Sequence, residues 1–333
     1  MSAHFGLDIG SSQVKVMQIK KQTKGFELEH YSAVGLKAPD ELAQAIREAV
    51  ETAGIRSGTE VNLALPESEV YTRIIDTPRL SETELASSIK YEAEQYVPIP
   101  LEEVDLTHQI ISRPEDSVDT KSMKVLLIAV PKDKVTQLTS LMDQAGLIPK
   151  SLETELFSLK RIFGNPQKSQ VLVLFSHKTT DLMILNKGIP KFLHSMSVGG
   201  LSLTKSLANE LSLPDDQAEQ YKRTYGLKSE LLEGKVALVI RPLIDKVVDQ
   251  IKKSFVYLQQ QGEQHLPEQL VIGGGGSMLP GLSGYLVKQL NLEVVVGDPL
   301  ERFIKDEEFK KKINTDTNPQ LAVVAGLAAK GYI

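Results

Sequence analysis

The same local pattern occurs twice in this chain. Near residues 5–31, β-prone apolar segments at 5–9 and 13–19 are split by Gly10-Ser11-Ser12, and a third strand is expected over 26–31. Near 171–193, segments at 171–175 and 181–185 flank a short polar turn. Asn186-Lys187-Gly188 then turns the chain into a strand at 189–193. A strand-turn-strand-turn-strand unit met twice predicts two related halves, and strand signals mixed with helical ones predict an α/β fold.

Between the repeats the periodicity alternates. A helix is expected from Asp40, with Leu42, Ile46, Ala49, Val50 and Ala53 on one face and Gly54 as its stop. Residues 61–65 and 69–75 read as another strand pair. A new unit is expected after Pro78, where Ser81-x-x-Glu84 is a capping-box signal for a helix to about Tyr96 that Pro98 and Pro100 end. Strands near 104–111 and 124–130 flank a charged hairpin loop at 113–122. A helix at 132–145 with Val135, Leu138, Leu141, Met142 and Ala145 on its apolar face stops at Gly146.

Helices dominate 201–261. The last has Val236, Ile240, Leu243, Ile244, Val247, Ile251, Phe255 and Leu258 at helical spacing, a core stripe rather than a cofactor box. A strand at 269–272, a glycine run, a helix at 280–290, a strand at 293–296 and a small-residue helix near 319–330 close the chain.

Composition narrows the function classes. The 333 residues give a prior of about two domains. A net charge of −5 argues against a general electrostatic grip on nucleic acid or anionic lipid. There is no cysteine, hence no thiolate chemistry, and no histidine pair at H-E-x-x-H spacing, so a histidine zinc site is not expected. The N-terminus shows no signal-peptide pattern. No run approaches the roughly 20 apolar residues of a membrane span. Membrane association is therefore expected only through a partner or a surface contact.

Three segments carry chemistry. In Leu7-Asp8-Ile9-Gly10-Ser11-Ser12-Gln13-Val14-Lys15 a strand ends in an acid and a tight turn feeds the next strand. Successive N–H groups in such a turn make an anion-binding concavity, and a nearby carboxylate can hold Mg²⁺ through water. Alone, the same residues also make a plain hairpin with Asp8 capping backbone donors. In Leu270-Val271-Ile272-Gly273-Gly274-Gly275-Gly276-Ser277 a buried strand runs into four glycines ahead of a helix expected to open with Pro280, bringing backbone and a helix N-terminus toward a ligand. Glu219 and Lys222 share a helix face after Gly199-Gly200-Leu201-Ser202-Leu203-Thr204. They suit a ribose and adenine edge, or form a surface ion pair.

Together these pieces resemble the actin-like ATPase superfamily of actin, sugar kinases, chaperone ATPases and FtsA. The likeness is most specific to the PilM family of type IV pilus assembly. The opening GLDIGSSQVKV resembles its first phosphate motif. Residues 91–104, from Tyr91 through Tyr96, Pro98 and Pro100 to Val104, resemble a signature of its inserted subdomain. Residues 153–161, from Glu153 to Arg161, look like its connecting segment with Glu155 at the acidic position, and 198–204, 218–226 and 270–282 look like its remaining nucleotide segments.

The resemblance implies two duplicated mixed-sheet halves around a nucleotide cleft, with an FtsA/PilM-type inserted subdomain. The implied division is 1–77 for the first subdomain, 78–150 inserted, 151–165 connecting, 166–200 with 262–333 for the second, and 201–261 helical. It implies ATP or ADP with Mg²⁺. Asp8 would stand on the metal side, Gly10, Ser11, Ser12, Gln13, Lys15 and Thr180 at the phosphate turns, and Gly200, Glu219, Lys222, Gly274, Gly275, Gly276 and Ser277 around the nucleoside. Glu155 is the implied positioner of an attacking water. The implied partner is the N-terminal cytoplasmic tail of PilN, in a groove near Tyr96 and Pro98. Through PilN and PilO the chain would sit at the cytoplasmic face of the inner membrane. Self-association is left open.

One departure is expected to matter. A second D-x-G-x-x-x-T turn aligned on Thr180 finds Leu174 in place of the acid and Ser176 in place of the glycine. His177 and Lys178 are read as solvated turn residues. Phosphoryl transfer depends on positioning and electrostatics, so hydrolysis should suffer more than binding. The rival readings are a small-molecule kinase of the same superfamily and an FtsA-like division protein. The second would need a basic amphipathic membrane helix, which Leu327-Ala328-Ala329-Lys330-Gly331-Tyr332-Ile333 does not offer.

Overall fold

The computed structural model describes residues 4–36, 41–113, 122–263, 265–313 and 315–333. Two five-stranded sheets share one topology. In the first, β1 (His4–Ile9), β2 (Gln13–Gln22) and β3 (Gly25–Gly35) form an antiparallel meander, and β4 (Glu60–Leu65) and β8 (Ile148–Thr154) continue it in parallel, in the order β3-β2-β1-β4-β8. In the second, β9 (Gln170–Phe175), β10 (Thr180–Asn186) and β11 (Ile189–Met196) repeat the meander, and β12 (Gln269–Gly273) and β13 (Glu293–Val296) repeat the parallel pair. The duplication expected from sequence is therefore a duplication of strand order.

The expected strand pair at 61–65 and 69–75 is not a hairpin. β4 has β1 on one side and β8 on the other, so both its edges are filled. A 3₁₀ turn at Glu67–Glu69 instead carries the chain to β5 (Tyr71–Thr77), which joins β7 (Met123–Pro131) and β6 (Val104–Ser112) in a third sheet ordered β5-β7-β6. That sheet thus starts at Tyr71, ahead of Pro78. On it lies α2 (Glu82–Tyr96), burying Leu85, Ile89 and Ala93. Its capping box is present: Ser81 N donates to Glu84 Oε2 over 2.8 Å and Glu84 N to Ser81 Oγ over 3.4 Å.

Helices α1 (Leu42–Thr52) and α3 (Lys132–Gln144) cover one face of the first sheet, where Ile46, Ala49 and Met142 pack on Val14 and Val16. Asp40, the expected helix start, and most of the loop expected over 113–122 lie outside the described residues. Helices α5 (Gly200–Glu210), α6 (Asp215–Tyr225), α7 (Lys235–Gln260) and α8 (Leu282–Leu290) cover the second sheet. The α7 stripe is core as expected. Val236, Ile240, Ile244, Val247, Ile251 and Leu258 are buried, and Leu243 and Phe255 pack at its margin. Each fully buried side chain of this kind stabilises the fold by roughly 1.5–3 kcal/mol.

Between the two large sheets run α4 (Glu155–Phe163) and α10 (Ala322–Ala328), with Leu156, Leu159, Val323 and Leu327 packed against Leu172, Leu174 and Val271. The helix expected near 319–330 is split into a 3₁₀ turn at Thr315–Leu321, which holds Pro319, and α10. A short α9 (Glu307–Lys312) packs Phe309 under β3. Among the described residues no helix is long and apolar enough to cross a membrane.

Candidate functional site

The first turn is built by β1 and β2. Gly10 N donates to Gln13 O over 2.9 Å, and a Cβ on Gly10 would lie 2.9 Å from that same oxygen, so a side chain here would force this turn to shift. Ser11 and Ser12 are exposed at its tip. The ladder sets Asp8 across from Lys15, and the Lys15 ammonium donates to Asp8 Oδ2 over 2.9 Å with both side chains buried. Burial alone would pull Lys15 down, but the Asp8 carboxylate outweighs it and holds the ammonium above its ordinary pKa.

The second turn repeats that closure: Ser176 N donates to Thr179 O over 2.9 Å. Leu174 and Ser176 stand where Asp8 and Gly10 stand in the first, as the alignment on Thr180 anticipates. Thr180 itself cannot face a ligand as expected. It is fully buried, and its hydroxyl donates to Val198 O over 2.6 Å. The hydroxyl at the turn belongs to Thr179, which donates to Asp181 Oδ2 over 2.8 Å. Turn carbonyls also hold the start of α5: Gly200 N donates to Ser176 O over 3.0 Å and Leu201 N to His177 O over 2.7 Å. His177 is not a solvated turn residue. Burial, then the nearby Lys222 ammonium, depresses its pKa.

Glu219 and Lys222 form a part-buried ion pair of α6, the ammonium buried and the carboxylate about a third exposed (32%). Lys222 Nζ donates to Glu219 Oε2 over 2.6 Å, to Thr204 Oγ1 over 2.9 Å and to Gly200 O over 3.0 Å. Thr204 Oγ1 and Arg223 Nε also donate to Glu219. Burial would raise this carboxyl, yet these donors, Lys222 foremost, bring it down to about 2.

The glycine run lies against the second turn. A Cβ on Gly274 (φ +83°) would sit 2.5 Å from Phe175 O, and one on Gly276 would sit 2.4 Å from the Phe175 ring, so both glycines permit close packing on the end of β9. Gly275 is exposed, whereas the Ser277 hydroxyl is committed to Gly274 O over 2.7 Å. The helix expected to open at Pro280 starts at Leu282, because Gly281 sits at φ +80° and residues Gly275–Met278 form a 3₁₀ turn.

Carboxylates of both halves lie within electrostatic reach of one another. Glu155 opens α4 with its pKa well above the ordinary range, raised first by burial and then by the Asp8 and Asp181 charges. Burial raises Asp181 to about 6, and it also raises Glu67, on which the Asp181 charge acts. Sequence reasoning does not single out Glu67 or Asp181. The turn register, Leu174 against Asp181, is the signal that places the second of them. Among the described residues no cluster of three or more His, Cys, Asp or Glu is arranged to hold a metal by protein ligands alone.

The family model of type IV pilus assembly protein PilM matches residues 6–332. This chain belongs to the PilM family. Its fold superposes on a solved PilM-PilN type IV pilus biogenesis complex with a TM-score of 0.84, at 24% identity and 99% coverage of each chain. MreB5 of Spiroplasma citri bound to ADP matches with a TM-score of 0.54 at 12% identity, over 98% of this chain and 95% of that one. Cell division protein FtsA of Staphylococcus epidermidis is 22% identical over 95% of this chain and 79% of its own length. The fold is thus the actin-like ATPase fold expected from the motifs.

In this PilM-family chain a cavity of about 340 Å³ opens where three parts of the fold meet. Glu67 and Ser68 line it from the turn after β4, Arg73 from β5, Tyr96 from the end of α2, and His194 and Ser195 from β11. The Arg73 guanidinium lies 4.9 Å from the Tyr96 ring centroid, a cation–π contact at the rim. Of the two expected groove residues, Tyr96 lines this cavity; Pro98 is exposed and is not part of its lining.

Proposed function

We propose that the chain is a nucleotide-binding scaffold of type IV pilus assembly. It takes ATP or ADP with Mg²⁺ between its two five-stranded sheets and holds the N-terminal tail of PilN. The observation that carries this reading is the pair of matching hairpin turns, closed by Gly10 N to Gln13 O and Ser176 N to Thr179 O, with Asp8, Glu155 and Asp181 near enough between them to raise the Glu155 pKa. The MreB5 structure with ADP supports nucleotide as the ligand class.

In this reading the open amides at Ser11 and Ser12 receive phosphate, and Gly275 and the Glu219–Lys222 pair bound the nucleoside. The donor set suits Mg²⁺ held largely by phosphate and water. Mg²⁺ keeps several waters and needs only one or two carboxylates, and Asp8 has one oxygen on Lys15 and a second to offer. When bound, the ion would neutralise phosphate charge. With Leu174 in place of a second acid, and Glu155 driven toward its neutral form, turnover is slow or absent.

The solved PilM-PilN complex supports PilN as the partner. The tail enters beside Tyr96 and, with PilO, ties the chain to the cytoplasmic face of the inner membrane. Calorimetry with ADP and ATP, a phosphate-release assay, and a pull-down with a synthetic PilN tail test these parts separately. Robust hydrolysis would overturn the claim of slow turnover, and no nucleotide binding would overturn the cleft.

A further inference from the structure

Four buried oxygens beside the cavity have no hydrogen bond of acceptable geometry: Glu67 Oε2, Thr154 Oγ1, Asp181 Oδ1 and Ser195 Oγ. Glu67, Thr154 and Asp181 are 4%, 3% and 0% exposed. Each half of the fold supplies two of the four. In the first half Leu65 pairs with Thr154 on the β4–β8 ladder, and Glu67 opens the 3₁₀ turn just after β4. In the second half Asp181 stands across from Ser195 on the β10–β11 ladder. The turn that carries Glu67 packs on β11, so Glu67 and Ser195 line the same cavity. Thr154 acts on the Glu67 carboxyl, Ser195 acts on that of Asp181, and the Asp181 charge is felt at Glu67.

What these oxygens lack is positive charge. The second oxygen of Glu67 accepts from Thr72 over 2.6 Å and that of Asp181 from Thr179 over 2.8 Å, both neutral hydroxyls. Among the described residues no ammonium or guanidinium bonds either carboxylate. Lys15 is committed to Asp8, and the Arg73 guanidinium at the cavity lies against the Tyr96 ring. Glu155 adds a further carboxyl within reach of the Asp181 charge. Asp181 ionises at about 6, so at neutral pH it is a buried anion with no counter-ion. Such a charge is costly unless it is paired or holds a metal ion. A buried water would bond the four oxygens but leave the charge unmatched.

We propose that Glu67 Oε2, Thr154 Oγ1, Asp181 Oδ1 and Ser195 Oγ are the ligands of a monovalent alkali cation, K⁺ or Na⁺, which bridges the two halves of the fold. Protein oxygens replace part of the water shell of such an ion. The donor set fits this class. A divalent ion caged by protein alone draws on more carboxylates, and among the described residues no three or more acidic or imidazole groups are arranged for one. The cavity of about 340 Å³ gives the ion a way in and room for water on its open side. With two ligands from each half, the ion ties the turn after β4 and the end of β8 to β10 and β11. The site needs neither nucleotide nor partner tail, so it stands apart from the proposed function.

The test is a set of thermal melts of the full, nucleotide-free chain at about pH 7.5, where Asp181 is ionised. KCl, NaCl and tetramethylammonium chloride are compared at equal ionic strength, so that screening is the same in each. The expected result is a saturable rise in melting temperature of about 3 °C or more in K⁺ or Na⁺ over tetramethylammonium, as linkage to a bound ion predicts. The salt that gives the larger rise names the occupant. Asp181→Asn, which removes the charge, should abolish the rise, and Thr154→Val, which removes one ligand, should at least halve it. Both are read as a difference between salts within one variant, so a change in overall stability does not count. Ser68→Ala, on the cavity wall outside the ligand set, should keep the full rise. Should a variant fail to fold, rubidium-soaked crystals of the unaltered chain decide, and an anomalous peak bonded to Glu67 and Asp181 is expected there. Equal melting temperatures in the three salts, a rise that Asp181→Asn retains, or crystals without that peak overturn the proposal.

Discussion

Asp181 and Lys15 occupy the same register position in the two halves. Lys15 faces Asp8 across the β1–β2 ladder, and Asp181 faces Leu174 across the β9–β10 ladder. The first hairpin thus buries a cancelled pair of charges. The second has an aliphatic side chain where the acid stood and a carboxylate where the ammonium stood. The duplicated backbone is kept while the charge moves one strand over and loses its cation.

That lone carboxylate makes stability depend on pH. Asp181 ionises near its ordinary value of 3.8 when unfolded and at about 6 when folded. Its anion therefore disfavours the fold, so its contribution is most favourable below the unfolded value and is lost as pH rises through 6. The two-unit shift corresponds to about 3 kcal/mol. Glu67 and Glu155 are raised in the same direction. The nucleotide-free protein should melt at a lower temperature at pH 7.5 than at pH 5.5, and Asp181→Asn should flatten the difference. A melting temperature that climbs over this window would contradict the assignment.

The Asp8–Lys15 pair predicts the opposite kind of sensitivity. Both side chains are almost sealed from water, so removing one partner leaves a charge buried and unpaired. Lys15→Met should destabilise by about 3–5 kcal/mol, and adding Asp8→Leu should recover much of that loss, because a buried pair replaced whole by apolar groups is close to neutral. Denaturant unfolding of Lys15→Met, Asp8→Leu and the double variant measures both. A loss in the double variant equal to the sum of its single losses would show that the pairing is not the source.

Much of this was legible in the sequence because it is local. A turn closed from Gly10 to Gln13 dictates that Asp8 meets Lys15, and the same spacing identifies Leu174 and Ser176 as the altered positions. What escaped is set by distant partners. β8 is an edge strand with Pro149 and a largely exposed first half, so it shows no apolar alternation. β5 cannot reveal that it pairs with β7 rather than with its neighbour β4, since that choice depends on β4 being enclosed by β1 and β8. Thr180 matches the motif position, but its hydroxyl is captured by Val198, a contact across the end of the β10–β11 hairpin. Glu67 becomes a site residue only when the third sheet brings α2 and β11 to the same cavity.

At the rim of that cavity Arg73 stacks on a half-exposed Tyr96 ring. If the tail is held there, Tyr96→Ala removes both the aromatic wall and the surface that fixes the guanidinium. Tail affinity should fall by about tenfold or more, the range of an aromatic anchor at an interface. Tyr91→Ala, at a residue of the same helix that is 68% exposed and does not line the cavity, should leave it within about twofold. Calorimetric titration of the tail against both variants checks the contrast; equal losses would move the tail to the outer face of α2.

The two halves are joined where α4 crosses α10, and that crossing has no space for a side chain. A Cβ on Gly326 would lie 2.3 Å from Ser158 O, backbone against backbone, so no rotamer change can relieve it. The contact is clasped from both ends. Arg161 donates to Gly326 O over 3.0 Å and to Glu153 over 2.6 Å, and Lys330 reaches Glu153 over 2.7 Å. Gly326→Ala must therefore push the helices apart and strain the Arg161 and Lys330 bonds with them. The loss should be at the upper end of overpacking effects, about 3 kcal/mol or more. Gly284→Ala, in α8 with open space around it, should instead stabilise by about 0.5–1 kcal/mol through helix propensity. Because α4 also carries Glu155 and sets it between the two turns, the Gly326 variant should lose nucleotide affinity even at temperatures where it stays folded. Circular dichroism melts paired with nucleotide titration separate the two effects, and a Gly326→Ala protein as stable as wild type would mean that the helices do not cross this closely.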